Sequence, residues 1–338
     1  MIRAAILGAS GYVGGELLRL LARHPAIAAT RLFGDSKAGQ KLGQVHPHIA
    51  VPLADLTVER FDLAALDGID LVLAALPHGE SQKIAGAILE KGCKLVDLGA
   101  DFRLHDPQDY AHWYGEPHQA PELLGRFVTG IPEFHRDAIR SAQAVAAAGC
   151  YPTATILALK PLVDAGLVDP ASIIVDAASG VSGAGRGLKE GTSYNVVEGS
   201  FVAYGLLNHR HTAEMEQALG ATILFTPHLA PMTRGILATC YATATRDMGP
   251  DEPLSVLRSA YADEPFVRVS NEPPATKWVA GSNGAVVTAR YDPRTGRVVA
   301  LGAIDNLGKG AAGQMIQCAN LMTGLDEAAG LAAEGVFP

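Results

Sequence analysis

Apolar residues fall along this chain in two rhythms. Short, mostly apolar runs at residues 2–7, 28–33, 70–76, 94–98 and 144–148 read as strands, the first of them buried. Between the first two, Val13, Leu17, Leu20 and Leu21 recur at helical spacing and make one apolar face. His24-Pro25 ends that helix, because a proline disfavours helical backbone in the residue before it. Another helix is predicted at about 80–90. Strands that alternate with helices imply a parallel, doubly wound sheet. After about residue 165 the rhythm changes. Runs at 173–177, 221–225, 236–244, 267–269, 285–291 and 298–304 read as strands with few helices between them. They predict a second, α+β domain on a larger, partly antiparallel sheet. A last helix is expected over 309–324, with Met315, Ile316, Ala319, Leu321 and Met322 on its apolar face.

Composition narrows the class. A chain of 338 residues is longer than one core usually supports, so two domains are expected. With 48% hydrophobic and 18% charged residues it reads as a well-buried globular protein. A formal net charge of -8 argues against a nucleic-acid partner. Cys93, Cys150, Cys240 and Cys318 form no CxxC pair, which argues against a disulfide framework or a cysteine-rich zinc site and fits a reducing compartment. The opening MIRAAILGASG reads as strand and turn rather than signal peptide, and no apolar stretch approaches the ~20 residues that span a bilayer. The expectation is a soluble cytoplasmic protein with no membrane partner.

The candidate chemistry sits at two glycine-flanked turns. Gly8-Ala9-Ser10-Gly11-Tyr12-Val13-Gly14 lies between a strand and a helix, where glycines let backbone approach a pyrophosphate and the helix start offers N–H groups and positive charge. Pro77, after the third strand, is expected beside the same nucleotide. At the end of the second strand, Gly34-Asp35-Ser36-Lys37 carries both signals: Asp35 would suit a ribose hydroxyl, whereas Ser36 and Lys37 would suit a 2′-phosphate, so NADPH is the expected cofactor. The second turn is Ala148-Gly149-Cys150-Tyr151-Pro152, just ahead of a helix over about 152–164. A thiol at a helix start is stabilised as thiolate, the reactive form. Such a nucleophile needs a proton acceptor. His209 and His211 flank Arg210, and Glu214 would share a face with His211 if a helix begins near Thr212. His209, His211 and His228 could supply three imidazoles to a metal, but the chemistry needs none and no further ligand cluster completes a site, so no metal is expected.

The segments GASGYVG, DLGADFRL (97–104), GIPE (130–133), AGCYPTAT (148–155), SGVSGAGR (179–186), HRHTAE (209–214), HLAPMTRGI (228–236) and DNLGKGAAGQ (305–314) give the chain a specific resemblance. In order and spacing it resembles the N-acetyl-gamma-glutamyl-phosphate reductases over nearly its whole length, and more distantly the aspartate-semialdehyde dehydrogenases. The resemblance implies a Rossmann-type domain at 1–148 with 310–338 and a catalytic, subunit-interface domain at 149–309, in a homodimer or homotetramer. It implies that Cys150 forms a thioester with a small acyl phosphate, that NADPH reduces it, and that His211 with Glu214 moves the proton. Ser179, Gly180, Ser182 and Gly183 would line the acyl and nicotinamide site, with Asn306 at the cofactor carboxamide. Arg103, Arg186, Arg210 and Arg234, with His209, would meet the anionic substrate. The rivals are a carrier-linked aminoadipyl-phosphate reductase and a nucleotide-binding sensor without catalysis. A sensor has no need of both Cys150 and the His211–Glu214 pair.

Overall fold

The computed structural model describes residues 1–49 and 53–337, which divide into two compact units. The first comprises Met1–Ala148 and Ala311–Leu331. Its elements run β1 (Ile2–Leu7), α1 (Tyr12–Leu21), β2 (Ile27–Phe33), β3 (Leu71–Ala74), α2 (Ser81–Glu90), β4 (Lys94–Asp97), α3 (Pro107–Tyr114), β5 (Phe127–Gly130), α4 (Pro132–Ser141) and β6 (Ala144–Ala147). The six strands are parallel in the order β2-β1-β3-β4-β6-β5.

A parallel sheet needs both faces covered, and β1 shows how the sequence meets that need. Ala4 and Ile6 enter one apolar cluster with Leu17, Leu18, Met315 and Ile316, while Ala5 and Leu7 enter the other with Ile88, Leu95, Phe102 and Phe127. All four are buried, so the strand reads as an unbroken apolar run. Burying each leucine contributes roughly 1.5–3 kcal/mol. The final helix, Gly313–Met322, is buried at every position and belongs to this unit. Two of its buried polar residues find partners within the unit: Gln317 donates to Glu327, itself paired with Arg136, and Asn320 meets His24 at 3.0 Å. The expected helix over 309–324 opens instead with a π-helical turn, Gly308–Ala312. A side chain at Gly308 would meet Ser282 O at 2.0 Å, so the backbone there is pressed too close for anything but glycine.

The second unit comprises Gly149–Gly310 with the tail from Ala332. Its elements are α5 (Cys150–Asp164), β7 (Ile173–Gly180), β8 (Val202–Ala203), α6 (His211–Leu219), β9 (Ile223–Ala230), β10 (Ile236–Thr243), α7 (Glu252–Ala260), β11 (Val267–Val269), β12 (Ala285–Asp292) and β13 (Arg297–Ile304). The seven strands lie in the order β11-β12-β13-β10-β7-β9-β8. β7–β9 and β11–β12 are parallel and the other pairs antiparallel. The tail departs from the grouping expected of residues 310–338: Asn283 N–H donates to Ala332 O and Val336 N–H to Ala280 O, which ties it here.

α5 carries Cys150 and is apolar on all sides, as a helix buried on all sides must be. It lies against the sheet at Gly302, where an added Cβ would stand 2.3 Å from Ala154 O. Pro161 inside α5 has no N–H for Leu157 O, and the Tyr261 hydroxyl donates to that carbonyl at 2.7 Å. Along β7 and β10, Val175, Ala177, Ala238 and Cys240 are buried, while Ile174, Asp176, Leu237, Thr239 and Tyr241 on the opposite face are half-buried.

Gly8 and Gly39 provide a test of the close approach in the first unit. Both have positive φ, 78° and 88°, but a Cβ at Gly8 would lie 2.2 Å from Ala75 O, whereas at Gly39 nothing lies within 4 Å. Gly39→Ala should cost about 1–2 kcal/mol of backbone strain alone. Gly8→Ala should cost that plus a further ~1–3 kcal/mol of overpacking. Hydrogen-exchange protection of the β1 amides in urea reads the difference, and equal losses would contradict the contact.

Candidate active site

Cys150 is the first residue of α5, and no side chain caps the helix start. The backbone around it is held on two sides. Gly149 N–H donates to Glu214 Oε2 at 2.9 Å, and Gly149 O accepts both the N–H and the hydroxyl of Thr153 at 2.9 Å each. Gly310 forms a floor: a Cβ there would sit 2.8 Å from the Cys150 Cβ. Gly310 was legible only as part of the DNLGKG segment, which points first to Asn306, so its close approach to the Cys150 Cβ is a finding of the structure. The thiol itself is half-buried, whereas Cys93, Cys240 and Cys318 are buried. Burial pushes the thiols of Cys93 and Cys240 up, away from the reactive thiolate.

α6 begins at His211, one residue before the expected start, and this puts Glu214 in its first turn. Glu214 is buried, and its second oxygen, Oε1, lies 3.8 Å from His211 Nε2. That distance brings the two side chains face to face but is longer than a hydrogen bond. One carboxylate therefore touches both the residue before the nucleophile and the candidate base. A carboxylate at a helix N-terminus is also favoured by the helix dipole.

An aromatic cluster surrounds His209. Its ring meets Tyr151, Tyr204, Phe225 and His211 edge-on, with centroids 4.8–5.7 Å apart. Its Nδ1 accepts the His211 backbone N–H at 3.2 Å. Burial, aided by the Arg210 charge, pushes the His209 pKa down to about 4. Tyr204 donates to the Tyr151 hydroxyl at 3.2 Å, and Tyr151 donates to His228 O at 3.0 Å. Burial raises both phenols, Tyr204 to about 12, so both stay protonated donors. Neither tyrosine is prominent in the sequence.

The remaining expected residues separate in space. Arg186 and Arg210 are exposed in the second unit. Arg234 is engaged: its Nε and Nη2 bind the buried carboxylate of Asp305 at 2.9–3.2 Å. Asn306 Oδ1 accepts from Gly235 N–H at 2.7 Å and its Nδ2 donates to Ser182 Oγ at 2.9 Å. Gly180 is pressed against Thr233 O, 2.6 Å from where a Cβ would be, and Ser179 donates to Gly180 O. Asp305 and Asn306 thus brace the 179–183 and 233–235 loops. Arg103 lies in the first unit and donates to Leu98 O at 2.6 Å.

The first unit holds the nucleotide-binding features. The sheet order reverses between β1 and β3, and ligands of such sheets bind beyond the strand ends at that point. Gly14 is pressed on Gly8 O, 2.3 Å from its would-be Cβ, whereas a Cβ at Gly11 would meet only Gly8 O at 3.4 Å and otherwise point into open space. With α1 uncapped by any side chain, this cradle fits a dinucleotide pyrophosphate. Tyr12 and Val13 open the helix, and Ser10 packs against Gly34 at the end of β2, just before Ser36 and Lys37. Pro77 stands in the loop after β3. That loop is pinned by Asp101, which accepts from Gly79 N–H at 2.8 Å and pairs with His78 at 3.0 Å. Among the described residues no group of three or more His, Cys, Asp or Glu is placed to hold a metal, and no helix is long and apolar enough to cross a membrane.

This fold recurs among known proteins. The semialdehyde dehydrogenase NAD-binding domain family matches residues 3–142, and the semialdehyde dehydrogenase dimerisation domain family matches residues 150–306. The fold recurs in aspartate semialdehyde dehydrogenase II of Vibrio cholerae, solved in complex with ASA (TM-score 0.72, 18% identity, covering 96% of this chain and 98% of that one). It recurs in the Candida albicans aspartate semialdehyde dehydrogenase solved with NADP (TM-score 0.70, 15% identity, 96% and 98% covered). The chain is thus a nicotinamide-dependent oxidoreductase of the semialdehyde dehydrogenase type. Curated N-acetyl-gamma-glutamyl-phosphate reductases of Desulforudis audaxviator and Pelotomaculum thermopropionicum are 48% and 47% identical to it, over all of this chain and 100% and 99% of theirs. The Synechocystis enzyme of the same name is 45% identical over 99% of this chain and 98% of its own. The chain belongs to the N-acetyl-gamma-glutamyl-phosphate reductase family.

Iodoacetamide should label Cys150 well ahead of Cys93, Cys240 and Cys318, as read by peptide mass spectrometry. Gly310→Ala should slow that labelling by crowding the Cys150 side chain at its Cβ, while circular dichroism stays that of the parent. Labelling that begins at another cysteine would remove Cys150 as the reactive thiol.

Proposed function

We propose that this chain reduces N-acetyl-L-glutamyl 5-phosphate to N-acetyl-L-glutamate 5-semialdehyde and phosphate, with NADPH as reductant, in arginine biosynthesis. The observation that carries the reading is the Cys150–Gly149–Glu214–His211 arrangement at the uncapped start of α5. The Cys150 thiolate attacks the acyl phosphate carbon, and backbone N–H groups at the helix start stabilise the oxyanion. The C–O bond to phosphate breaks and a thioester remains on Cys150. The nicotinamide, when bound, supplies the hydride that reduces this acyl carbon. The oxyanion left on that carbon is protonated by the His211 imidazolium to give the thiohemiacetal; His211 takes the same proton back as the C–S bond breaks, which releases the aldehyde and returns the thiolate. Glu214 holds His211 and the Gly149 backbone at a fixed separation during these steps.

Arg186, Arg210 and Arg103 are the proposed partners of the substrate's phosphate and carboxylate. Arg234 is proposed as a brace, since its guanidinium is committed to Asp305. Ser179, Gly180, Ser182 and Gly183 form the proposed acyl-site loop, held by Asn306. Ser36 and Lys37 are the proposed readers of the 2′-phosphate. The proposal includes a cytoplasmic homodimer, or a tetramer built from it, joined through the half-buried face of the seven-stranded sheet around Leu237, Thr239 and Tyr241. Leu224, exposed at 50% on β9, extends that apolar surface.

Steady-state assays with N-acetylglutamyl phosphate and NADPH test the reading. Cys150→Ser should lose at least ~10³-fold in turnover, because an alcohol is hardly ionised near neutral pH. His211→Asn should lose about 10²–10⁴-fold, yet still form the trapped acyl-enzyme in a single turnover. Activity confined to a carrier-linked aminoadipyl phosphate would overturn the substrate assignment.

Lys37→Ala should weaken NADPH by roughly 1–3 kcal/mol, the range of a charge-assisted hydrogen bond, and leave NADH nearly unchanged. Titration of protein fluorescence with each nucleotide reads both affinities. Equal losses for the two would remove Lys37 from 2′-phosphate recognition.

A further inference from the structure

Two observations around His209 are not used by the proposed chemistry. The first is the hydrogen bond in which its Nδ1 accepts the His211 backbone N–H at 3.2 Å. A ring nitrogen can accept only when it carries no proton, so this bond requires a neutral imidazole with its proton on Nε2. The second is the route by which the chain delivers the ring. Leu207 is the one non-glycine residue with positive φ among the described residues, at 63°, and its side chain is 78% exposed. A leucine in that conformation costs about 1–2 kcal/mol and gains nothing from burial here. The strained loop turns His209 inward between Tyr151, Tyr204 and Phe225, and α6 starts two residues later.

The Arg210 N-cap of α6 makes no cap hydrogen bond with its own side chain and is already helical in φ and ψ. The imidazole, one residue before the N-cap, accepts the N–H of the first helical residue, one of the donors that a helix start leaves without an intrahelical partner. It fixes the backbone of the residue whose side chain must face Glu214. Its ring also stands beside the His211 ring, 4.8 Å between centroids and 68° between planes, and so limits the rotation of that ring.

We infer that His209 is a positioning residue for His211: a neutral imidazole that caps α6 through Nδ1 and holds the proposed base in its aim toward Glu214. This inference rests on the reading of His211 as the acid–base group. The depressed His209 pKa, about 4, agrees with a ring that stays uncharged through the neutral range. Arg210 contributes to that depression from the exposed side, and the phenols of Tyr151 and Tyr204 face the ring as neutral groups. A misplacement of about 1 Å in a reacting group can cost up to ~10²-fold in rate, so a cap that sets one residue's backbone has leverage on turnover.

The two nitrogens of the ring can be mimicked separately. Asparagine places an acceptor where Nδ1 stands, and glutamine places a donor where Nε2 stands. His209→Ala and His209→Gln should each lower kcat by roughly 10- to 10²-fold with KM within about threefold, whereas His209→Asn should return kcat to within about threefold of the parent. In a His211→Asn background, His209→Ala should add less than about threefold, because the two residues act as one unit. Rescue by Gln instead of Asn, with the loss falling in KM, would show that Nε2 meets the substrate directly and would overturn the inference. Equal loss in all three variants, or parent-like turnover in His209→Ala, would overturn it too. A parent-like His211→Asn enzyme would instead sink the acid–base reading itself, which separates the two failures. Thermal midpoints measured in parallel show whether Asn rescues the rate beyond what it does for stability.

Discussion

Glu214 is the point on which the second unit's chemistry turns. A buried carboxylate is costly unless its oxygens find donors. Here one oxygen takes the Gly149 N–H and the other faces His211. The consequence is geometric. The residue that fixes the nucleophile's backbone and the residue that fixes the base are the same residue, so α5 and α6 cannot shift independently without stranding a charge. Neutral substitution would relieve the desolvation cost but leave the two helices without a common anchor. This is the use of a buried charge that specifies an arrangement rather than adding stability.

The same economy governs the loops around it. Asp305 and Asn306 are consecutive, both buried at the end of β13, and both spend their side chains on loop backbone, on Arg234 or on Ser182. Loops cannot bury a stiff hydrophobic core of their own, so polar side chains from the sheet must satisfy their backbone. In the first unit the equivalent device is steric. Gly8 and Gly14 bring three stretches of backbone closer than any side chain permits, and the pyrophosphate cradle is what remains above Gly11.

The strands and the glycine turn were legible because their signals are local. A buried parallel strand is an apolar run, and β1, the glycines and α1 follow one another within about twenty residues. Both sheets, their parallel and mixed character, and Cys150 ahead of a helix could be read the same way. α3, β5, α4 and α7 were not. α3 and α4 are short, polar over most of their surface and opened by prolines, so neither a clear face nor an unbroken run marks them. α3 is instead held by stacking of Tyr114 on His78, a contact that joins residues far apart in sequence. Arg234, Asn306 and Gly310 illustrate the limit within the site. Their positions in conspicuous motifs could be read, but whether a polar group faces a ligand or a neighbouring loop depends on partners that spacing does not reveal.

The floor under Cys150 has a bearing on how the molecule comes into being. Gly310 is separated from the thiol by most of the second unit, and the helix that fills the first unit, Gly313–Met322, is made later still. During synthesis the first six strands leave the ribosome long before the helix that covers one of their faces. The chain therefore cannot mature one domain at a time from its amino end. Long-range closure comes last, and such closure is slow because loop entropy must be overcome before its contacts form. The nucleophile acquires its finished surroundings only when the chain is nearly complete, so an immature chain carries a thiol whose reactivity has not yet been set.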